Sequence, residues 1–448
     1  MRGWSAIVLG GLLLAGSSQS LAAERPKRVN VLMVVAPESG ALGEGLADLL
    51  GWCLTRAARI HPTRLEILGR ASEGAPSPGP AVAEEAEALA RRLDQDGLLW
   101  MRFGTRGERL VAMASVVDLR RSPARRGHFG PREVRWDQGA LLQEGITQRL
   151  LMTMSLTLLA PEERRQARAC GRPLPGPAAL TAFGQGRLAM LRQAPPQIEE
   201  AITHYERAGE LGVGFALSFY RQGESYEALG SRWKAAGAYR RAIDADPDFA
   251  EAYKRLGDLL ALSPRRLYDQ AAQAYRRAIQ VDPDFAEAYL ALATVRANEG
   301  RAEEAITEYK RGLEVDPWNA QGHYGLARVY YTERGLFHEA LAEYQRAISL
   351  DPDFAEAYLA LGDMQEERGL YRDAIQSYQA VLQIRPKHPG ALFAVARAHE
   401  NVDVVLAVAH WERYLEVAQG LPSEREWIDI ARSHLDKLRR LGDPLPAR

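Results

Sequence analysis

The residues best equipped for chemistry in this chain are carboxylates, and they come in a repeated frame. The string DPDFAEAY occurs at Asp246–Tyr253, Asp282–Tyr289 and Asp351–Tyr358. Each copy sets an Asp three residues before a Glu: Asp248/Glu251, Asp284/Glu287 and Asp353/Glu356. Two carboxylates one helical turn apart could act as general acid and base, or hold calcium. Threefold repetition argues against a single active centre, and a structural job accounts for the spacing. Pro283 stops one helix and pushes Asp282 out of the α region; Asp284 then caps the next helix, with Glu287 as its capping-box partner. Tyr289 falls on the buried face of the new helix.

The other candidates for chemistry are thinner. Gly40, Gly43 and Gly45 follow an apolar run, but the third glycine of a dinucleotide loop and a Walker lysine are missing. They read as a flexible helix entrance. The nine histidines are scattered, with no His-Glu-x-x-His pair, and no Gly-x-Ser-x-Gly elbow occurs. The stretch Leu119–Arg135 carries six arginines around Pro and Gly. It reads as a solvated loop, or as a mobile basic loop that meets an acidic partner or an anionic polymer. No catalytic, metal-binding or cofactor-binding residue is assigned, and the chain is expected not to be an enzyme.

The elements that must carry the repeated frame show a period. Pro247, Pro283, Pro317, Pro352 and Pro386 are 36, 34, 35 and 34 residues apart, the spacing of stacked helical hairpins. Between prolines, two amphipathic segments recur. Tyr358, Leu361 and Gly362 share one helix face, and Ala374, Tyr378 and Val381 share the next. The same slots hold Tyr253, Leu256, Gly257, Ala271, Tyr275 and Ala278. This frame (aromatic-x2-Leu-Gly-x2-Tyr, then Ala-x3-Tyr-x2-Ala, then Pro) resembles the tetratricopeptide (TPR) family. Five units match within 216–388. Degenerate units flank them, near 178–212 with Ala201, Tyr205 and Ala208, and near 389–419 with Ala407 and Trp411. Residues 422–441 place Trp427, Ala431, Leu435 and Leu438 on one face, as a terminal capping helix. The resemblance implies an all-α solenoid over 178–421, wound as a right-handed superhelix.

Residues 28–160 have another rhythm: strands at RVNVLMVVAP, RLEILG, GLLWMRFGT and RLVAMASVVDL, a further short one at Glu133–Trp136, and helices at Gly40–Ile60, Pro80–Gln95 and Asp137–Leu159. This order makes a small α/β layer domain. With LDQDGLLWMRFGTRGERLVAMASVVDL and the segment ALTAFGQGRL that follows, it is similar to the TolB amino-terminal domain, which implies a non-catalytic interaction module. Residues 161–177, with CGRPLPGP, form a linker on which that domain could swing, or across which it could fold against the first repeat.

The bulk numbers are those of an ordinary globular chain. The 448 residues are 46% hydrophobic and 26% charged with a formal net charge of −1, so nothing global points to nucleic acid. Residues 1–23 read as a secretory signal: Arg2, an apolar run to Ala15, and Ser20-Leu21-Ala22 for cleavage. Ser17 stands where a lipoprotein would carry Cys. A periplasmic or secreted protein without stable membrane insertion follows. Of the two cysteines, Cys53 sits at helical spacing with Leu42, Leu46 and Leu49 as a buried thiol, and pairing with Cys170 stays open.

In the TPR family the first helix of each hairpin lines a concave groove. The resemblance puts there Tyr220, Glu224, Lys254, Asp258, Leu290, Asn298, Tyr324, Arg328, Tyr331, Glu356, Leu359, Asp363, Phe393 and Arg397. The implied partner is a protein or an extended peptide, and the implied role is an exported scaffold. A second reading is a sensory module, its α/β domain binding a small ligand and its repeats contacting a signalling partner.

Overall fold

The computed structural model describes residues 29–35, 39–55, 60–64, 87–88, 90–92, 95–106, 109–154, 174–191, 197–263 and 267–442. The signal segment, both cysteine side chains and most of the Pro80–Gln95 helix lie outside the described residues.

The first part is a mixed five-stranded sheet: β1 (Val29–Val35), β2 (Ile60–Arg64), β3 (Gly97–Arg106), β4 (Arg109–Asp118) and β5 (Arg125–Arg135). Their spatial order is β2-β1-β3-β4-β5. β1 is parallel to both neighbours, with Val31 opposite Pro62 on one side and Gly97 on the other. β3, β4 and β5 form an antiparallel meander. Of the expected strand at RLEILG only Arg64 is described, as the last residue of β2, and the rest lies outside the described residues; β2 itself contains Pro62. A proline is admissible there because β2 is an edge strand, where a missing N–H costs no ladder bond.

The basic stretch is the larger correction. Arg125–Arg135 is an eleven-residue strand on the other edge, not a loop. A bulge opposite Ala112–Ala114 absorbs Gly130, whose φ is +84°. Charge pairing helps to anchor it: Arg126 donates to Glu87 at 2.6 Å, and Arg106 pairs with Glu133. In the turn before it, Arg120 grips the buried Asp118 through two bonds, at 2.9 and 3.0 Å. Helices α1 (Gly40–Thr55) and α2 (Ala140–Thr153) pack against one face of the sheet, covering Met101, Leu110, Ala112, Val116 and Val134. α2 is shorter than the expected Asp137–Leu159 segment.

Fifteen helices follow among the described residues. The first pair is α3 (Pro177–Leu191) and α4 (Ile198–Leu211), then α5 (Ala216–Ala228) and α6 (Arg232–Ala245), and α7 (Ala250–Ala261) and α8 (Tyr268–Val281). Next come α9 (Ala286–Asn298) with α10 (Ala302–Val315), α11 (Ala320–Thr332) with α12 (Phe337–Leu350), and α13 (Ala355–Glu367) with α14 (Tyr371–Ile384). The last pair, α15 (Pro389–His399) and α16 (Val404–Ala418), is covered by α17 (Arg425–Gly442). Several hairpins close where a glycine of the first helix meets a tyrosine of the second. A Cβ on Gly223, Gly257 or Gly362 would lie 2.5, 2.6 or 2.5 Å from the ring of Tyr239, Tyr275 or Tyr378. The weak flanking units are full hairpins too, with Ala201, Tyr205, Ala208, Ala407 and Trp411 all buried.

The repeated string works differently from the capping box expected of it. Its first aspartate accepts a hydrogen bond from the backbone of the second. The backbone N–H of Asp248, Asp284 and Asp353 donates to Oδ1 of Asp246, Asp282 and Asp351 at 3.0, 3.1 and 3.2 Å. Trp318 N–H donates to Asp316 in the same way at 3.2 Å. The aspartate side chain thus copies a backbone turn. The helices begin one residue later than a capping Asp would place them. Phe249, Phe285 and Phe354 hold the cap positions, with no side-chain hydrogen bond there. Burial replaces the polar cap, because those three phenylalanines are among the core residues and the tyrosines of the string are only half-buried.

Candidate functional site

The α/β part does not swing free, because α1 lies across the inner helices of the first three hairpins. Its approach to α3 is very close. A Cβ on Gly45 would sit 2.5 Å from Leu180 O, and one on Gly184 would sit 1.7 Å from Ala41 O. Gly45 is therefore a contact point between helices, not a flexible entrance. One turn on, the buried carboxylate of Asp48 faces Arg221 Nε at 3.0 Å and Arg187 Nε at 3.4 Å. Burial disfavours the Arg221 charge, but Asp48 and Glu224 outweigh it and hold the guanidinium firmly protonated. Another turn on, Trp52 meets Tyr220 and Phe249 edge-on, at centroid distances of 5.1 and 5.6 Å. Arg221 lies 5.4 Å from the Trp52 ring.

This contact divides the expected groove residues. Tyr220 is buried under Trp52 and Phe249, so it is not a groove surface. Glu224 is half-buried and accepts from Arg221 at 2.8 Å. Lys254 and Asp258 pair with each other at 2.8 Å, and Asp258 also accepts the Tyr275 hydroxyl at 2.9 Å. Leu290 is buried as well, under Gly312 and Gly322 of the neighbouring helices. The sequence frame marks the inner side of each first helix; it does not tell which inner residues α1 or a neighbouring helix will cover.

Beyond α1 the inner helices α9, α11, α13 and α15 carry the remaining set. Asn298, Arg328, Glu356, Asp363 and Arg397 are exposed, and Tyr324, Tyr331, Leu359 and Phe393 are half-buried. Arg328 lies 5.9 Å from the Tyr324 ring, which in turn packs on Phe354 at 5.1 Å. The Tyr331 hydroxyl donates to Glu367 on the next inner helix; partial burial and that carboxylate push its pKa up to about 12. Arg397 binds Glu366 through two nitrogens at 2.7 and 2.8 Å. The Tyr378 hydroxyl donates to Asp363 at 2.8 Å, and Arg385 donates to Glu356 at 2.8 Å. Phe393 stands against Trp411, Tyr414 and Trp427. The result is a strip of aromatic edges and charged groups in which Tyr331–Glu367 and Arg397–Glu366 tie one inner helix to the next. Such a strip can dock a chain through stacking and charged hydrogen bonds.

Sequence reasoning missed Asp48, Trp52, Arg187 and Arg221. One signal could have found the first of them: an Asp among Leu42, Leu46, Leu49 and Leu50 on a helix otherwise read as apolar. Among the described residues no group of three or more His, Cys, Asp or Glu side chains could hold a metal ion. No described helix is long and apolar enough to cross a membrane.

Comparison with known proteins agrees with the hairpin frame. Tetratricopeptide repeat models match residues 220–265, 266–329 and 357–390, and a TPR repeat model matches 331–369. No curated protein matches the sequence. Among solved structures, MamA is similar at 26% identity and a TM-score of 0.33, over 37% of this chain and 95% of MamA. YrrB, described as a TPR protein with an unusual peptide-binding site, is 19% identical at a TM-score of 0.34, over 42% of this chain and 96% of YrrB. PilF of Pseudomonas aeruginosa is 18% identical at a TM-score of 0.42, over 49% of this chain and 97% of its own. Those scores are low, and the weight rests on the repeat models and on the hairpins themselves. Residues 220–390 of this chain are a run of tetratricopeptide repeats.

Proposed function

We propose that the chain is an exported, non-catalytic scaffold that holds another envelope protein, or an extended segment of one, along α9, α11, α13 and α15. In this reading residues 1–23 direct export. The α/β unit over 28–160, similar to the TolB amino-terminal domain, acts as a second interaction module on the array over 178–421. The observation that carries the reading is the inner strip beyond α1, where Tyr324, Arg328, Tyr331, Phe393 and Arg397 leave aromatic and charged surface uncovered by the rest of the described chain. Tyr and Arg dominate the energetics of protein interfaces. Capture from an envelope fraction tests it. The wild-type chain is expected to retain a partner that Tyr324→Ala combined with Arg328→Ala releases, with helical content unchanged by circular dichroism. Equal capture by both proteins would rule out the groove as the docking surface.

A further inference from the structure

The junction between α1 and the repeats forms a solvent-open cavity of about 430 Å³ that the groove reading does not use. Its size falls within the range of small-molecule sites, about 300–1,000 Å³. Trp52 and Phe285 give it aromatic wall, and charges of both signs surround that wall. Arg187 enters from α3, Arg255 from α7 with one nitrogen already donating to Glu227 at 2.9 Å, and Glu251 and Glu287 from α7 and α9. Arg187 Nε is buried, and among the described residues it makes no hydrogen bond. Its distance to Asp48 leaves room for a better acceptor. A simple anion would lie beside the two glutamates, and a simple cation beside the guanidiniums. A molecule carrying both charges avoids either penalty, since each end is offered an opposite group.

We propose that this cavity binds a small zwitterion with an aromatic side chain, that is, an aromatic amino acid or a dipeptide that bears one. The carboxylate pairs with Arg187 and Arg255, the ammonium with Glu251 and Glu287, and the ring lies on Trp52 and Phe285. The site is separate from the open inner strip, so it stands whether or not that strip binds a protein. It gives the small-ligand reading of the α/β unit a location at the seam with the repeats. Calorimetric titration of the full chain tests the assignment with L-phenylalanine, L-tryptophan, N-acetyl-L-phenylalanine and L-phenylalaninamide. One of the free amino acids is expected to bind at a single site. Blocking either terminus, or introducing Arg255→Gln or Glu287→Gln, is expected to weaken binding at least about tenfold. The Tyr324→Ala, Arg328→Ala double variant is expected to bind as wild type does, which separates failure here from failure of the groove. The proposal is overturned by absence of saturable heat up to about 10 mM of both free amino acids. It is also overturned if the blocked forms bind as well as the free ones, or if both single variants leave affinity unchanged.

Discussion

At the scale of single residues, the sharpest liability in the fold is a histidine. His399 is buried in α15, neither ring nitrogen has a hydrogen-bond partner among the described residues, and its ring stacks on His410 of α16 at 4.8 Å. Burial pushes the pKa of His399 down, against a smaller upward pull from Asp403. Burial also lowers that of His410, with His399 and Arg413 adding to it. Both rings are therefore biased toward the neutral form in the fold, while an unfolded chain takes up protons near the ordinary histidine value of about 6.5. The stability tied to this pair is complete above that pH. It is lost as the pH falls through that value toward the lowered folded one, because the unfolded state binds protons first. Denaturation midpoints measured between neutral and mildly acid pH are expected to fall with pH in the wild type. In His399→Leu the decline is expected to be shallower, because the substitution removes both the unpaired ring and one proton. An equal decline in both proteins would mean that this pair does not set the acid limb.

At the scale of elements, the contrast between the repeats and the α1 contact shows what a sequence can carry. The hairpins were legible because their constraint is local and recurs. Gly257 under Tyr275, and Gly362 under Tyr378, are the same contact made twice. The Pro-based period announces it without any knowledge of distant neighbours. The strand content of Leu119–Arg135 was masked by arginines and by Gly130-Pro131, because an edge strand with one open face tolerates charge and a bulge that an inner strand would not. The seat of α1 was illegible for the opposite reason. Asp48 meets Arg221 across 173 positions of chain, and nothing near either residue signals the other. That contact makes its own prediction. Asp48→Asn leaves the Arg221 charge buried with a poorer partner, and such losses cost roughly 3–5 kcal/mol at full burial. Gly184→Ala forces apart two backbones already in contact, which costs about 1–3 kcal/mol or more. Both variants are expected to raise amide exchange along α1 and α3 while α11–α14 stay protected. Unchanged exchange in α1 would show that the aromatic contact of Trp52 alone holds it.

At the scale of the whole molecule, the array is one-dimensional: each hairpin rests on its neighbours and the last needs a lid. α17 supplies it, burying Ala431, Leu435 and Leu438 over Trp411 and Tyr414, with His434 Nδ1 donating to the Glu400 carboxylate at 2.8 Å. Deleting 425–442 is expected to open α15 and α16 first, with protection restored progressively toward α9 and no change at α5, read by hydrogen exchange. A uniform loss along the array would show a single cooperative unit instead. The opposite end is governed by a tether. α1 occupies its stretch of the inner face as a covalently attached occupant, and attachment of that kind corresponds to a local concentration in the millimolar range. A free helix of equal intrinsic affinity would have to be supplied above that concentration to displace it. A visiting helix is thus held off the first three hairpins by that local concentration, whereas α9, α11, α13 and α15 face no such tethered helix among the described residues.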